Sequence, residues 1–223
     1  MRVMNDLLPA VEIDPQGPVR ASVVWLHGLG ADGYDFAPIV PELALPAELG
    51  VRFVLPHAPS IPVTLNGGMV MPAWYDIVGL GGEGPTDVDG IRRSADQIDA
   101  LIEREIERGV PSERIVIAGC SQGGAVAYEV ALRHPKKLAG LMALSTYFAT
   151  QDSVALSEAN QGLPVFIAHG QFDPMVPEAG GSQAAQALEG KGYQPAYKTY
   201  PMEHAVCLEE IQDIAAFLKQ VLA

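Results

Sequence analysis

Six short apolar runs recur along the chain: VRASVVWL (19–26), VRFVLP (51–56), RIVIAG (114–119), LAGLMALS (138–145), PVFIAHG (164–170) and PAYKTYP (195–201). Several are apolar throughout, the pattern of strands covered on both faces; a half-exposed strand would alternate. Between them lie segments whose apolar residues return every three or four positions. Over 87–109 these are Val88, Ile91, Ala95, Ile98, Leu101, Ile102 and Ile106, and Gly109 and Pro111 end the helix. The stretches 122–133, 178–188 and 206–222 read the same way. Strands alternating with helices predict βαβ units, right-handed crossovers and a mostly parallel central sheet with helices on both faces.

Residues 57–86 break this rhythm. Ten of these thirty residues are Gly or Pro, and the apolar ones have no clean period. A loop this long inside a compact domain is usually functional or mobile. With no internal repeat and no linker, residues 1–223 read as one domain.

Composition narrows the function. The net charge of −13 argues against nucleic acid or an anionic membrane surface as partner. The N-terminus, MRVMNDLLPAVEID, has no continuous apolar core for a signal peptide, and no run approaches the ~20 apolar residues of a membrane span. Two cysteines, Cys120 and Cys207, make no disulfide framework. A cytoplasmic, reduced protein is the expectation. The His and Cys spacings match no common metal-ligand pattern.

The chemistry concentrates at GCSQGG (119–124), directly after an apolar strand and before a helix. Gly119-Cys120-Ser121-Gln122-Gly123 fits G-x-S-x-G, in which a serine sits on a sharp strand-to-helix turn and its hydroxyl is exposed. Such a serine needs a base. Among the five histidines, His134 reads as a helix cap before Pro135, and His169 as a hydrogen-bonded structural residue at a strand end. Position alone leaves His27 and His57 open. His204 follows the last strand and lies downstream of every plausible acid, which suits the order Ser…Asp…His. Asp173 follows the strand 164–169 and is the preferred acid. Asp152 is expected to cap a helix near 152–159, and Glu203 adjoins His204 too closely. The oxyanion of an acyl-transfer intermediate needs two N–H donors. The Gln122 amide, after the nucleophile, and the Leu29 amide, in HGLGADG (27–33), are the candidates.

The same loop offers a rival. Gly28-Leu29-Gly30-Ala31-Asp32-Gly33 also fits the dinucleotide fingerprint. Pro38 and Pro41 interrupt the helix that fingerprint should open, and the next strand ends Leu55-Pro56-His57 without the required acid.

Taken together, LHGLGADGYDF, PHAPSIPVTLNGGMVMPAWYDI, GCSQGG, HGQFDPMVP and YPMEHAV resemble the small carboxylesterase/acyl-protein thioesterase family of α/β-hydrolases over about residues 10–220. The resemblance implies an α/β-hydrolase fold without a large cap domain, no cofactor, and hydrolysis of carboxylic esters or thioesters, with small-molecule ester or acyl substrates. It implies Ser121, Asp173 and His204 as the catalytic set, and a homodimer is possible in such a family. It places an acyl-binding groove along Ile61, Val63, Leu65, Met69 and Trp74, with Met175 and Val176. Two positions depart from the family pattern. Glu203 stands where glycine usually precedes the histidine, which is expected to disfavour anionic substrates. Cys120 replaces the aromatic residue often found before the serine and reads as a buried thiol. A scaffold that binds without turnover is the alternative of a different class.

Overall fold

A computed structural model describes residues 7–79 and 84–223. Residues 1–6 of the N-terminal reading, and 80–83 of the irregular stretch, lie outside the described residues. Nine strands occur along the described chain: β1 (Ala10–Ile13), β2 (Ala21–Leu26), β3 (Val51–Pro56), β4 (Ser60–Val63), β5 (Met69–Pro72), β6 (Ile115–Cys120), β7 (Gly140–Leu144), β8 (Val165–Gly170) and β9 (Ala196–Tyr200). The helices are α1 (Ile39–Glu42), α2 (Val88–Glu107), α3 (Gln122–Arg133), α4 (Glu178–Gly190) and α5 (Leu208–Leu222). Seven strands form one sheet in the order β1-β3-β2-β6-β7-β8-β9. Every pairing in it is parallel except β1 on β3.

The apolar runs become strands because both faces are covered, and period two divides them between two cores. Val24, Leu26, Ile115, Ile117, Leu141, Ala143 and Ile167 face the layer of α2, α3 and α4. Their neighbours Val23, Trp25, Val116, Ala118, Met142, Leu144 and Phe166 face the other side, closed largely by α5 through Ile211, Ile214, Phe217 and Leu218. The start of α2 is fixed by Asp87, whose carboxylate accepts from the Gly90 amide at 3.0 Å. Its other oxygen accepts from the Asp76 amide at 2.9 Å, so the same cap holds the end of the irregular stretch.

Three features depart from the sequence reading. The irregular stretch contains the antiparallel hairpin β4–β5, a two-stranded sheet of its own. The short edge strand β1 was not foreseen, since four residues leave little periodicity to read. The helix expected near 152–159 is one 3-10 turn, Glu158–Asn160, and its cap is Ser157 rather than Asp152. Here the polar groups are taken by other helices: Thr150 donates to Glu129 at 2.7 Å, and Arg92 donates to the Ser153 carbonyl at 3.1 Å.

No helix among the described residues is long and apolar enough to cross a membrane. The elbow at the head of α3 depends on backbone contact. A Cβ at Gly123 would lie 2.4 Å from the His27 carbonyl oxygen and 2.5 Å from that of Leu26. Neither oxygen can swing aside as a side chain would. Gly123→Ala is therefore expected to destabilise the protein by about 3 kcal/mol, measured by urea denaturation.

Candidate active site

Strand β6 lies at the middle of the sheet, paired with β2 on one side and β7 on the other. It runs directly into Ser121, a non-glycine residue at φ 53° and ψ −122°. Such a conformation costs roughly 1–3 kcal/mol and persists where surrounding contacts over-determine it. The contacts are present. The Ser121 amide donates to the Leu144 carbonyl at 3.0 Å. Its carbonyl accepts from the Gly124 amide at 2.9 Å and from Thr146 Oγ1 at 2.6 Å. The Ser121 hydroxyl has no hydrogen-bond partner among the described residues. It faces a cavity of about 1210 Å³ that Leu29, Gln122 and His204 also line.

His204 lies in the loop between β9 and α5. Its Nδ1 is 2.6 Å from Asp173 Oδ2, and the Asp173 side chain is fully buried. With Asp173 accepting, Nδ1 carries the proton and Nε2 keeps its lone pair. The other carboxylate oxygen of Asp173 accepts from the amides of Met175 and Val176, at 2.8 and 2.9 Å. Both carboxylate oxygens of Asp173 are therefore committed to hydrogen bonds. His169 stands behind it, its Nε2 2.7 Å from the Val176 carbonyl oxygen, in the structural position its place in the sequence suggests.

The two histidines left open by position are occupied elsewhere. His27 Nε2 accepts from the Ala58 amide at 3.0 Å, with Nδ1 2.7 Å from the Gly28 carbonyl oxygen. Burial holds its pKa below the usual imidazole range, in keeping with a neutral ring. His57 Nδ1 accepts from the Gly33 amide at 3.0 Å. Both rings shape the glycine loop. That loop opens no long helix, since α1 is a four-residue turn, so it offers no helix N-terminus to a pyrophosphate. Its amides at Gly30 and Ala31 bond to the Pro72 and Gly28 carbonyls, while the Leu29 amide has no acceptor among the described residues. The Gln122 amide opens α3 and has no backbone acceptor among the described residues.

Of the groove residues expected, Leu65, Met175 and Val176 line the cavity. Ile61, Val63, Met69 and Trp74 do not. Val63 and Trp74 are buried in the body, and Met69 projects from the hairpin with 64% of its surface exposed. Ile61, Val63 and Met69 share one face of the hairpin, with Val63 paired to Met69, so what each packs against, and not strand alternation, separates the buried from the exposed. Trp74 instead donates through Nε1 to the His27 carbonyl at 2.8 Å.

One role escaped the sequence reading. The Gln122 side chain accepts from the Trp74 amide at 2.7 Å and donates to the Tyr75 carbonyl at 2.6 Å. It ties the irregular stretch to the elbow, and no local pattern announces such a long-range bond. Cys120 is half-buried, and burial pushes its thiol well above the ordinary range, which leaves little thiolate. Glu203 is exposed beside His204.

Comparison with known proteins agrees with this architecture. The phospholipase/carboxylesterase family model matches residues 9–222. Acyl-protein thioesterase 1 of Gibberella zeae is 40% identical over 213 residues, covering 91% of each chain. The Neurospora crassa protein of the same name is 41% identical over 213 residues, 91% of this chain and 87% of that one. The crystal structure of Zea mays acyl-protein thioesterase 2 superposes with a TM-score of 0.86 at 27% identity, covering 96% of this chain and 99% of that chain. With a family match over nearly the whole chain and the elbow serine at the centre of its sheet, this chain belongs to the phospholipase/carboxylesterase family of α/β-hydrolases and is an esterase-type hydrolase.

Proposed function

We propose that the chain is a serine esterase that hydrolyses carboxylic esters through an acyl-enzyme, with Ser121 as nucleophile, His204 as base and Asp173 as its orienter. The observation that carries this reading is the Asp173–His204 bond of 2.6 Å, made at the wall of the cavity that Ser121 faces. Ser121 Oγ attacks the ester carbonyl carbon while His204 Nε2 takes its proton. The carbonyl oxygen becomes an oxyanion held by the Leu29 and Gln122 amides. As the carbon–oxygen bond to the leaving group breaks, His204 returns the proton to the departing alcohol. Water then attacks the acyl-enzyme, giving its proton to His204. The Ser121 ester bond breaks, the acid leaves, and the serine regains its proton. The bond between Ser121 and His204 is expected to tighten in the Michaelis complex.

A second reading, thioester hydrolysis, has a specific support: the relatives at 40–41% identity carry the name acyl-protein thioesterase 1. The same steps apply with a thiol as leaving group. Apolar walls from Phe36, Ile39, Leu65 and Ile77 suit an acyl chain. Hydrolysis of p-nitrophenyl esters from acetate to palmitate, beside the matching acyl thioesters, tests both readings. Turnover of the oxygen esters supports the first, and a clear thioester preference supports the second. Absence of turnover on either series, with no fluorophosphonate label at Ser121, would leave a hydrolase fold that binds without reacting.

Glu203 provides a finer expectation. Its exposed carboxylate lies beside the base, so it repels an anionic group near the leaving-group side. Glu203→Gly should raise kcat/KM on anionic esters relative to neutral ones by about two- to fivefold at low ionic strength, and the gain should shrink in salt. Equal rates before and after the change would show that this carboxylate has no part in selection.

A further inference from the structure

Two tyrosines that line the cavity are hydrogen-bonded to each other, and neither is used by the chemistry above. Tyr75 Oη and Tyr147 Oη are 2.5 Å apart, and both residues line the cavity that Ser121 faces. They come from distant parts of the chain. Tyr75 follows Trp74 in the irregular stretch, which the Gln122 side chain clamps through both residues. Tyr147 follows Thr146, whose hydroxyl donates to the Ser121 carbonyl. Both phenols are thus carried on segments bonded to the nucleophile and to its oxyanion-side neighbour.

The hydrogen count of the pair leaves a surplus. Two phenols hold two protons, and one is consumed in the bond between them. Among the described residues neither hydroxyl has another partner, so one O–H donor remains unspent. Burial pushes both phenols above the ordinary tyrosine range, so both stay protonated near neutrality. Tyr75 is only 2% exposed, which restricts solvent access to the pair except through the cavity. A plain hydrocarbon chain laid against the pair would leave that donor unpaired. An oxygen acceptor at the same place would satisfy it.

We infer that the Tyr75–Tyr147 hydroxyl pair is a specificity site for an oxygen acceptor, a keto, ether or hydroxyl group, within the acyl chain of the substrate. The group is assigned to the acyl part because the segments carrying the pair bond to Ser121, the residue that would be acylated, and to Gln122, whose amide would hold the oxyanion, and share no hydrogen bond among the described residues with the loop of His204. Gln151 and Gln183 line the same cavity, so its wall is polar in part. This inference rests on the esterase reading above.

The test compares p-nitrophenyl 4-oxopentanoate with p-nitrophenyl pentanoate in wild type and in the Tyr75→Phe/Tyr147→Phe double variant. Chain length and leaving group are shared, and intrinsic reactivity cancels because the two enzymes see the same pair of esters. The preference for the oxo ester, as a ratio of kcat/KM values, should fall about fivefold in the double variant, the effect of one neutral hydrogen bond. A hydroxyl pair that only joins two loops would lower both rates together and leave the ratio unchanged, and that result overturns the inference while the esterase reading stands. If the double variant does not fold, wild type alone decides. Its rates on 4-oxohexanoate, 5-oxohexanoate and hexanoate esters, each normalised to hydroxide hydrolysis, should favour one carbonyl position; equal normalised rates overturn the inference. Wild type inactive on every ester removes the esterase reading and this one with it.

Discussion

Ser121→Ala should lower kcat for ester hydrolysis by about 10⁶, with stability nearly unchanged. The stability half of this expectation comes from the elbow itself. Alanine keeps the Cβ, so the φ of 53° is no harder to hold than in the parent. The bonds that fix the corner run through the backbone of residue 121, to Leu144, Gly124 and Thr146, and survive the change. The hydroxyl itself bonds to nothing else in the described fold, so its removal strands no partner. The activity half follows from the chemistry. Without Oγ no acyl-enzyme can form, and what remains is direct attack by water helped by the oxyanion donors and substrate binding. Matched thermal melts and p-nitrophenyl ester kinetics measure both halves. A loss below about tenfold, in a variant that melts like its parent, would place the nucleophile elsewhere.

The second large effect is expected at Asp173. Asp173→Asn should reduce kcat by about 10⁴. The direction follows from the two amides that approach one end of this side chain. Met175 and Val176 both donate to Oδ1, so asparagine must turn its carbonyl oxygen towards them. Its NH₂ group then faces His204 Nδ1 and donates where the carboxylate accepted. The imidazole is driven to the tautomer with its proton on Nε2, where it cannot take one from Ser121. The fold has little reason to respond, because the loop keeps both of its hydrogen bonds. Kinetics beside a melting curve separate these outcomes, and an active Asn variant would mean that His204 chooses its tautomer without Asp173.

Much of this was legible in the chain because it is local. Runs such as IVIA (115–118) are apolar at every position since both faces are covered, and α3 begins at Gln122 as the elbow pattern requires. The candidate residues Ser121, Asp173 and His204 could be named because each follows a strand whose own signal is strong. What the sequence hid is held by contacts distant along the chain. The Gln122 clamp on residues 74 and 75 spans 47–48 positions, and the partnership of Tyr75 with Tyr147 spans 72. No window of sequence contains both ends of either. The groove was misjudged for a related reason. Val63 and Met69 are paired across the hairpin, yet Val63 is buried and Met69 meets solvent, because each is placed against different parts of the body, which composition alone cannot show.

The packing beneath the His204 loop bears on how the site can change. A Cβ at Gly170 would lie 2.2 Å from the Glu203 carbonyl oxygen and 2.5 Å from that of Met202, so the loop rests on the end of β8 through its main chain. The Glu203 side chain is outside that contact and exposed. The side chain at position 203 is therefore expected to be mechanically uncoupled from the imidazole it adjoins: its charge and size could drift, or be diversified in a laboratory library, while His204 stays seated. Gly170 is the opposite kind of position, silent in chemistry and closed to variation. A lineage exploring new esters would be expected to record its history at 203 and to leave 170 untouched.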